Sequence, residues 1–272
     1  MKVGVLVCFD NEAKIDAMVA RVEELGFDEC QITCWCPQFY TDENVEKLQA
    51  ALDRHHVRIT TFWTGYTGPC IWNFTEGPLT IGLVPTAYRA QRIRELCAGA
   101  DFAKKLGVTN IATHVGFLPE NPNTTEYREV VEAIRFVAQH CKDNDQYFLF
   151  ETGQETPVTI LRTIELIGTG NLGVNLDPAN LILYGKANPV DALDVFGKYV
   201  RNVHAKDGLY PTDGTSLGRE VAIGEGKVNF PALIEGLKKV GYDGPLTIER
   251  EISGDQQTKD ILAARKLLES LI

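Results

Sequence analysis

QYFLFETGQETPVTILRTIELIGTGNLGVNLDP (146–178) reads as a strand, a helix and a second strand in a single pass. QYFLFETG (146–153) is a short run of large apolar residues that ends in an ionisable one. A helical stretch follows over 157–167, and LGVNLDP (172–178) repeats the strand pattern with Asp177 near its end. Alternation of β and α segments implies strands that lie parallel, joined by helices that cover the sheet.

The same unit recurs on both sides of this stretch. Upstream are KVGVLVCF (2–9) with a helix over 12–25, ECQITC (29–34) with 43–56, VRITTFW (57–63) with 86–106, and NIATHVGF (110–117) with 125–142. Downstream, VRNVHAKDG (200–208) follows a helix at 188–198 and precedes one at 229–240, and GPLTIERE (244–251) precedes 256–271. Gly26, Gly107 and Gly241 stand where helices should stop, and Asn229-Phe230-Pro231 reads as a cap with an early proline. Eight units in 272 residues predict an α/β fold, a single (β/α)₈ TIM barrel over 1–272, because such barrels need about 250 residues. An open doubly wound sheet is the alternative, but it wants a glycine-rich turn after the first strand, where this chain has CFDNEAK.

Bulk properties narrow the partners. The formal net charge is −10, which argues against nucleic acid, since phosphate binding favours a basic surface. Seven scattered cysteines without a CxxC pair read as reduced thiols of a cytoplasmic protein. Cys34-Trp35-Cys36 and the later His55 and His56 fit no standard zinc spacing. No signal peptide and no membrane span is expected from the apolar runs.

Four strands end alike: YFLF–Glu151, GVNL–Asp177, RNV–His204 and LTI–Glu249. Side chains alternate faces along a strand. Phe148 and Phe150 therefore oppose Leu149 and Glu151, Val174 and Leu176 oppose Asn175 and Asp177, Val203 opposes Asn202 and His204, and Leu246 and Ile248 oppose Thr247 and Glu249. The bulky set should face the helices and the ionisable set the barrel axis, at the carboxyl end where barrel active sites form. Two carboxylates at 4 Å repel by about 4 kcal/mol at an effective dielectric of about 20, so three need an offsetting charge. Oxygen and imidazole donors without thiolate suit one divalent ion: Mn²⁺, Mg²⁺, Co²⁺ or Zn²⁺.

The segments FETGQETP, VNLDPANL, NVHAKDG and TIERE resemble the xylose-isomerase-like TIM-barrel superfamily, over nearly the whole chain. That superfamily includes sugar 3-epimerases of the tagatose and allulose type, hydroxypyruvate isomerases, inosose dehydratases and isomerases, and apurinic endonucleases. The resemblance implies a metal held by Glu151, Asp177, His204 and Glu249, with Mn²⁺ first among the candidates, and proton transfer by Glu151 and Glu249. It implies a place for His114 near the substrate or an extra metal, and an oligomer such as a dimer or tetramer. The epimerases often have histidine three residues after the metal-binding aspartate, where this chain has Asn180. The endonuclease branch uses more histidines than the five present here.

These residues imply a metal-dependent sugar isomerase or epimerase that abstracts a proton α to the carbonyl of a small ketose, aldose or keto-sugar. The alternatives are a lyase or dehydratase acting on an inosose or 3-keto-glycoside, and a non-catalytic sugar-binding barrel. His114, Glu155, Asn180, Lys206 and Trp63 are the expected substrate contacts, Trp63 by stacking on a sugar face. The long 208–228 connection reads as a lid.

Overall fold

In the computed structural model, which describes residues 1–272, the strands in chain order are β1 (Lys2–Cys8), β2 (Glu29–Cys34), β3 (Arg58–Thr64), β4 (Asn110–Thr113), β5 (Tyr147–Glu151), β6 (Leu172–Leu176), β7 (Val200–Ala205), β8 (Asp207–Leu209), β9 (Arg219–Val221) and β10 (Pro245–Ile248). Eight of them close in the order β1-β10-β7-β6-β5-β4-β3-β2, while β8 and β9 form a separate hairpin. β1 closes the ring: Val3 pairs with Leu246 of β10 and Val5 with Cys30 of β2, both parallel. A doubly wound sheet would leave two open edges, and none is left. No helix is long and apolar enough to cross a membrane.

The helices begin and end where local chemistry directs them. The Thr156 hydroxyl accepts the Thr159 N–H, Pro157 occupies the first turn, and Gly168 closes the helix Pro157–Ile167 at φ 64°. The helix Phe230–Lys239 starts with the Asn229 side chain accepting from the Ala232 N–H. Caps of this kind each stabilise by about 0.5–2 kcal/mol. A short helix not anticipated from sequence, Pro178–Leu183, directly follows β6 and is capped by Asp177.

Alternation along the strands sorts the core as expected. Phe148, Phe150, Val174, Leu176, Val203, Leu246 and Ile248 pack in the main core between sheet and helices. Each such side chain contributes on the order of 1.5–3 kcal/mol by leaving water. Leu149 instead packs inside the barrel with Trp63 and Ala112. Beside it the lumen holds a polar network centred on Asn202. Asn202 donates to Gln31 Oε1 at 2.8 Å and to Asn175 Oδ1 at 2.5 Å, and Thr247 donates to Asn202 Oδ1 at 3.3 Å.

Two connections depart from the expected outline. β4 stops at Thr113, so HVGF (114–117) is loop, and Val115 O accepts from Leu83 N at 2.8 Å. Gly82 and Gly116 allow this approach: both have positive φ, and a Cβ on Gly82 would lie 2.0 Å from the Val115 carbonyl carbon. The 208–228 connection holds the β8–β9 hairpin, and Phe74 N donates to Thr215 O at 2.9 Å, tying it to the loop after β3.

Candidate metal centre

The barrel brings the four ionisable strand-end residues together. Glu151 is the last residue of β5, His204 lies within β7, and Asp177 and Glu249 are the first residues beyond β6 and β10. One ligand atom from each lies within 4.8 Å of the others. His204 Nδ1 is 3.2 Å from Glu151 Oε1, 3.0 Å from Glu249 Oε2 and 3.7 Å from Asp177 Oδ2.

Asp177 shows how local structure prepares a ligand. Its Oδ1 accepts the Asn180 N–H at 2.9 Å as helix cap, and Thr152 Oγ1 clamps its backbone, accepting from Asp177 N and donating to Asp177 O, both at 2.8 Å. Its Oδ2 is buried and makes no hydrogen bond, as is His204 Nδ1. A buried acceptor without a partner is costly. Three carboxylates and one imidazole whose ligand atoms lie within 4.8 Å of one another fit a hard or borderline divalent cation.

The charges agree. Burial alone would lower the His204 pKa, but Glu151 and then Glu249 raise it well above its ordinary value. Burial likewise opposes ionisation of Glu249, yet Lys206 and His204 hold its carboxyl well below the usual range. Glu151 is held down against burial by His114 and His204. Lys206, itself buried, stands 3.3 Å from Asp177 Oδ2 and 3.4 Å from Glu249 Oε2, and donates to Glu251. With His204 neutral, as a metal ligand must be, the three carboxylates and Lys206 carry −2, which a divalent cation would offset.

The neighbours of the cluster include most of the expected substrate contacts. Asn180 bridges Glu151 and Lys206: its Nδ2 is 3.4 Å from Glu151 Oε1, and its Oδ1 accepts from Lys206 at 3.3 Å. His114 Nε2 is 3.6 Å from Glu151 Oε1, while its buried Nδ1 has no partner. Trp63 donates its indole N–H to Glu151 Oε2, a polar role that the expectation of stacking did not include. A cavity of about 910 Å³ opens onto the cluster, and Trp63, His114, Asn180 and Lys206 all line it.

Glu155 does not line that cavity. It is 1% exposed with neither carboxylate oxygen hydrogen-bonded, and burial pushes its pKa up to about 8. Asp207 turns away from the cluster too. Its carboxylate accepts four backbone N–H groups, from Gly208 and Val228 on one oxygen and Gly224 and Gly226 on the other, at 2.8–3.0 Å. It thereby pins both ends of the hairpin connection.

Gln31 escaped the sequence reading. From β2 it reaches across the lumen to within 2.7 Å of His204 Nε2, and Asn175 lies 3.1 Å from the same atom. The contacting atoms are the two amide nitrogens, Gln31 Nε2 and Asn175 Nδ2, while both amide oxygens accept from Asn202, so the carboxamides fix the ring by donating to Nε2. Its one signal was a polar residue in the otherwise apolar middle of ECQITC.

A family model described as xylose isomerase-like TIM barrel matches residues 19–271. An uncharacterised protein, MJ1311, of Methanocaldococcus jannaschii is 26% identical over 96% of this chain and 88% of its own length. A crystal structure of a xylose isomerase domain protein from Planctomyces limnophilus is 36% identical with a TM-score of 0.91, covering 99% of this chain and 96% of that one. A D-tagatose 3-epimerase-like protein shares the fold at 20% identity and TM-score 0.76, covering 100% and 97%.

Proposed function

Because the chain belongs to the xylose isomerase-like TIM-barrel family, we propose that it is a metal-dependent sugar isomerase or epimerase that moves a proton α to the carbonyl of a small ketose, aldose or related keto-sugar. One observation carries the reading: Glu151 and Glu249 reach the same His204 nitrogen, at 3.2 and 3.0 Å, from strands separated by two others. Two carboxylates that enter one pocket from different sides suit removal of a proton on one side of a carbon and its return on the other.

Glu151, Asp177, His204 and Glu249 would hold one divalent ion, for which we propose Mn²⁺. Such an ion polarises a carbonyl and stabilises the negative charge that grows on its oxygen as the α-proton leaves. The chain's own groups do the rest. Both glutamates are held ionised, as a base must be before it takes a proton. Trp63 and Asn180 orient the Glu151 carboxylate by donating to it, and Lys206 orients Glu249. His114, with an unpaired Nδ1, is left to meet a substrate hydroxyl.

The test is exchange in D₂O, with Mn²⁺-loaded protein and a panel of free ketoses, inososes and keto-glycosides. Deuterium should enter the carbon next to the carbonyl, and Glu151→Gln or Glu249→Gln should each stop it. Exchange that survives both substitutions defeats the proposal. Product mass separates isomerisation from a lyase, which begins with the same proton abstraction but then loses water or aglycone.

A further inference from the structure

We propose that the cavity carries a second subsite, built by Trp35 and Trp72, which takes the ring aglycone of a keto-glycoside while the sugar ring lies at the acidic cluster. The placement of that sugar rests on the function proposed above; the subsite itself rests on separate observations.

All three tryptophans of the chain meet on one wall. The ring centroids of Trp35 and Trp63 are 4.8 Å apart, and Trp72 stands edge-on to Trp35 at 6.1 Å. The wall begins at the cluster, because Trp63 donates to Glu151, and Trp72 also lies 5.2 Å from the His114 ring. It ends at the mouth, where Trp35 and Trp72 are 39% and 41% exposed. Both line the same cavity as Glu151, His204 and Glu249.

Trp35 is held rigidly despite its exposure. Its ring meets Tyr66 edge-on at 5.4 Å and lies against Gly65, where any Cβ would come within 2.7 Å of it. An indole held in this way is preorganised to receive a ring face, so little freedom is lost on binding. The cavity is continuous from the acidic cluster to both outer indoles, since Trp35, Trp63 and Trp72 line it together with Glu151 and His114. A ring held beyond the cluster would lie against the exposed faces of Trp35 and Trp72.

Calorimetric titration of the Mn²⁺-loaded protein tests this with three probes: methyl β-D-glucopyranoside, 4-nitrophenyl β-D-glucopyranoside and cellobiose. The 4-nitrophenyl glucoside or cellobiose should bind about 2–10-fold more tightly than the methyl glucoside, the ratio expected when one ring–indole contact is gained. Trp35→Ala and Trp72→Ala should each remove most of that advantage, with Mn²⁺ uptake and methyl glucoside affinity unchanged, and Trp72→Phe should restore part of it. Equal affinities for all three probes, no binding of any, or an advantage that survives the double alanine variant overturns the subsite. So does a fall in solution mass in Trp72→Ala, which would put the indoles against a second copy of the chain. Normal Mn²⁺ uptake without a ring preference defeats the subsite alone. A ring preference without Mn²⁺ uptake defeats the metal-dependent reading alone.

Discussion

The two halves of the barrel carry different chemistry. β5, β6, β7 and β10 with their following residues supply every carboxylate and imidazole of the acidic cluster, and the buried Lys206 that steadies it. β1 to β4 and the loops after them supply the three tryptophans, Tyr66 and His114. One half concentrates charge around a candidate cation site; the other lines the same cavity with apolar ring faces. Only two side chains of the aromatic half reach the ligands as hydrogen-bonding partners by crossing the lumen: Gln31 to His204 and Trp63 to Glu151. The difference teaches that aromatic surface and ionisable groups are carried by separate arcs of one ring, joined by a few polar contacts.

The sharpest way to break this division is to alter the acidic arc at its reacting groups. Glu249→Gln and Glu151→Gln should each lower solvent-deuterium incorporation by about 10²–10⁴-fold, the usual worth of a positioned acid or base. Equal losses from a substitution at Trp72 would erase the distinction between the arcs.

Glu155, buried on the acidic side, supplies the next largest effect. Its folded-state pKa is about 8 against an ordinary 4.5, so the folded protein holds a proton there that the unfolded chain has released. Stability should therefore fall as pH rises from about 4.5 to about 8, by up to about 1.4 kcal/mol per pH unit, and level off above. Urea melts at about pH 6 and about pH 8.5 should show Glu155→Gln gaining on the parent protein by several kcal/mol at the higher pH. Parallel pH dependences in the two proteins would count against a buried, unpaired carboxyl.

Asp207→Ala should act on the connection and spare the cluster. Loss of its carboxylate leaves four backbone N–H groups without their acceptor, each worth about 1–3 kcal/mol when kept from water. Hydrogen exchange should quicken across 207–228 while Mn²⁺ affinity holds; uniform exchange would refute the clasp. Gln31→Ala, the smallest change, should weaken Mn²⁺ binding about 10–100-fold by loosening the His204 ring. An unchanged metal titration would show that the two arcs are not coupled through this residue.

Local pattern was enough to read the eight β/α units, the outward Phe148–Phe150 and Val174–Leu176 pairs, and the inward run Glu151, Asp177, His204, Glu249. Strand alternation has a period of two and is written in neighbouring residues, so each face is visible without the rest of the chain. Closure of the ring decided what neighbouring residues cannot express. It set Gln31 against His204, 173 positions away, and Trp63 against Glu151, 88 positions away. It also gathered Trp35, Trp63 and Trp72 on one wall and sealed Glu155 from water. Such contacts depend on strand order, stagger and loop path around a closed cylinder, which are properties of the assembled fold.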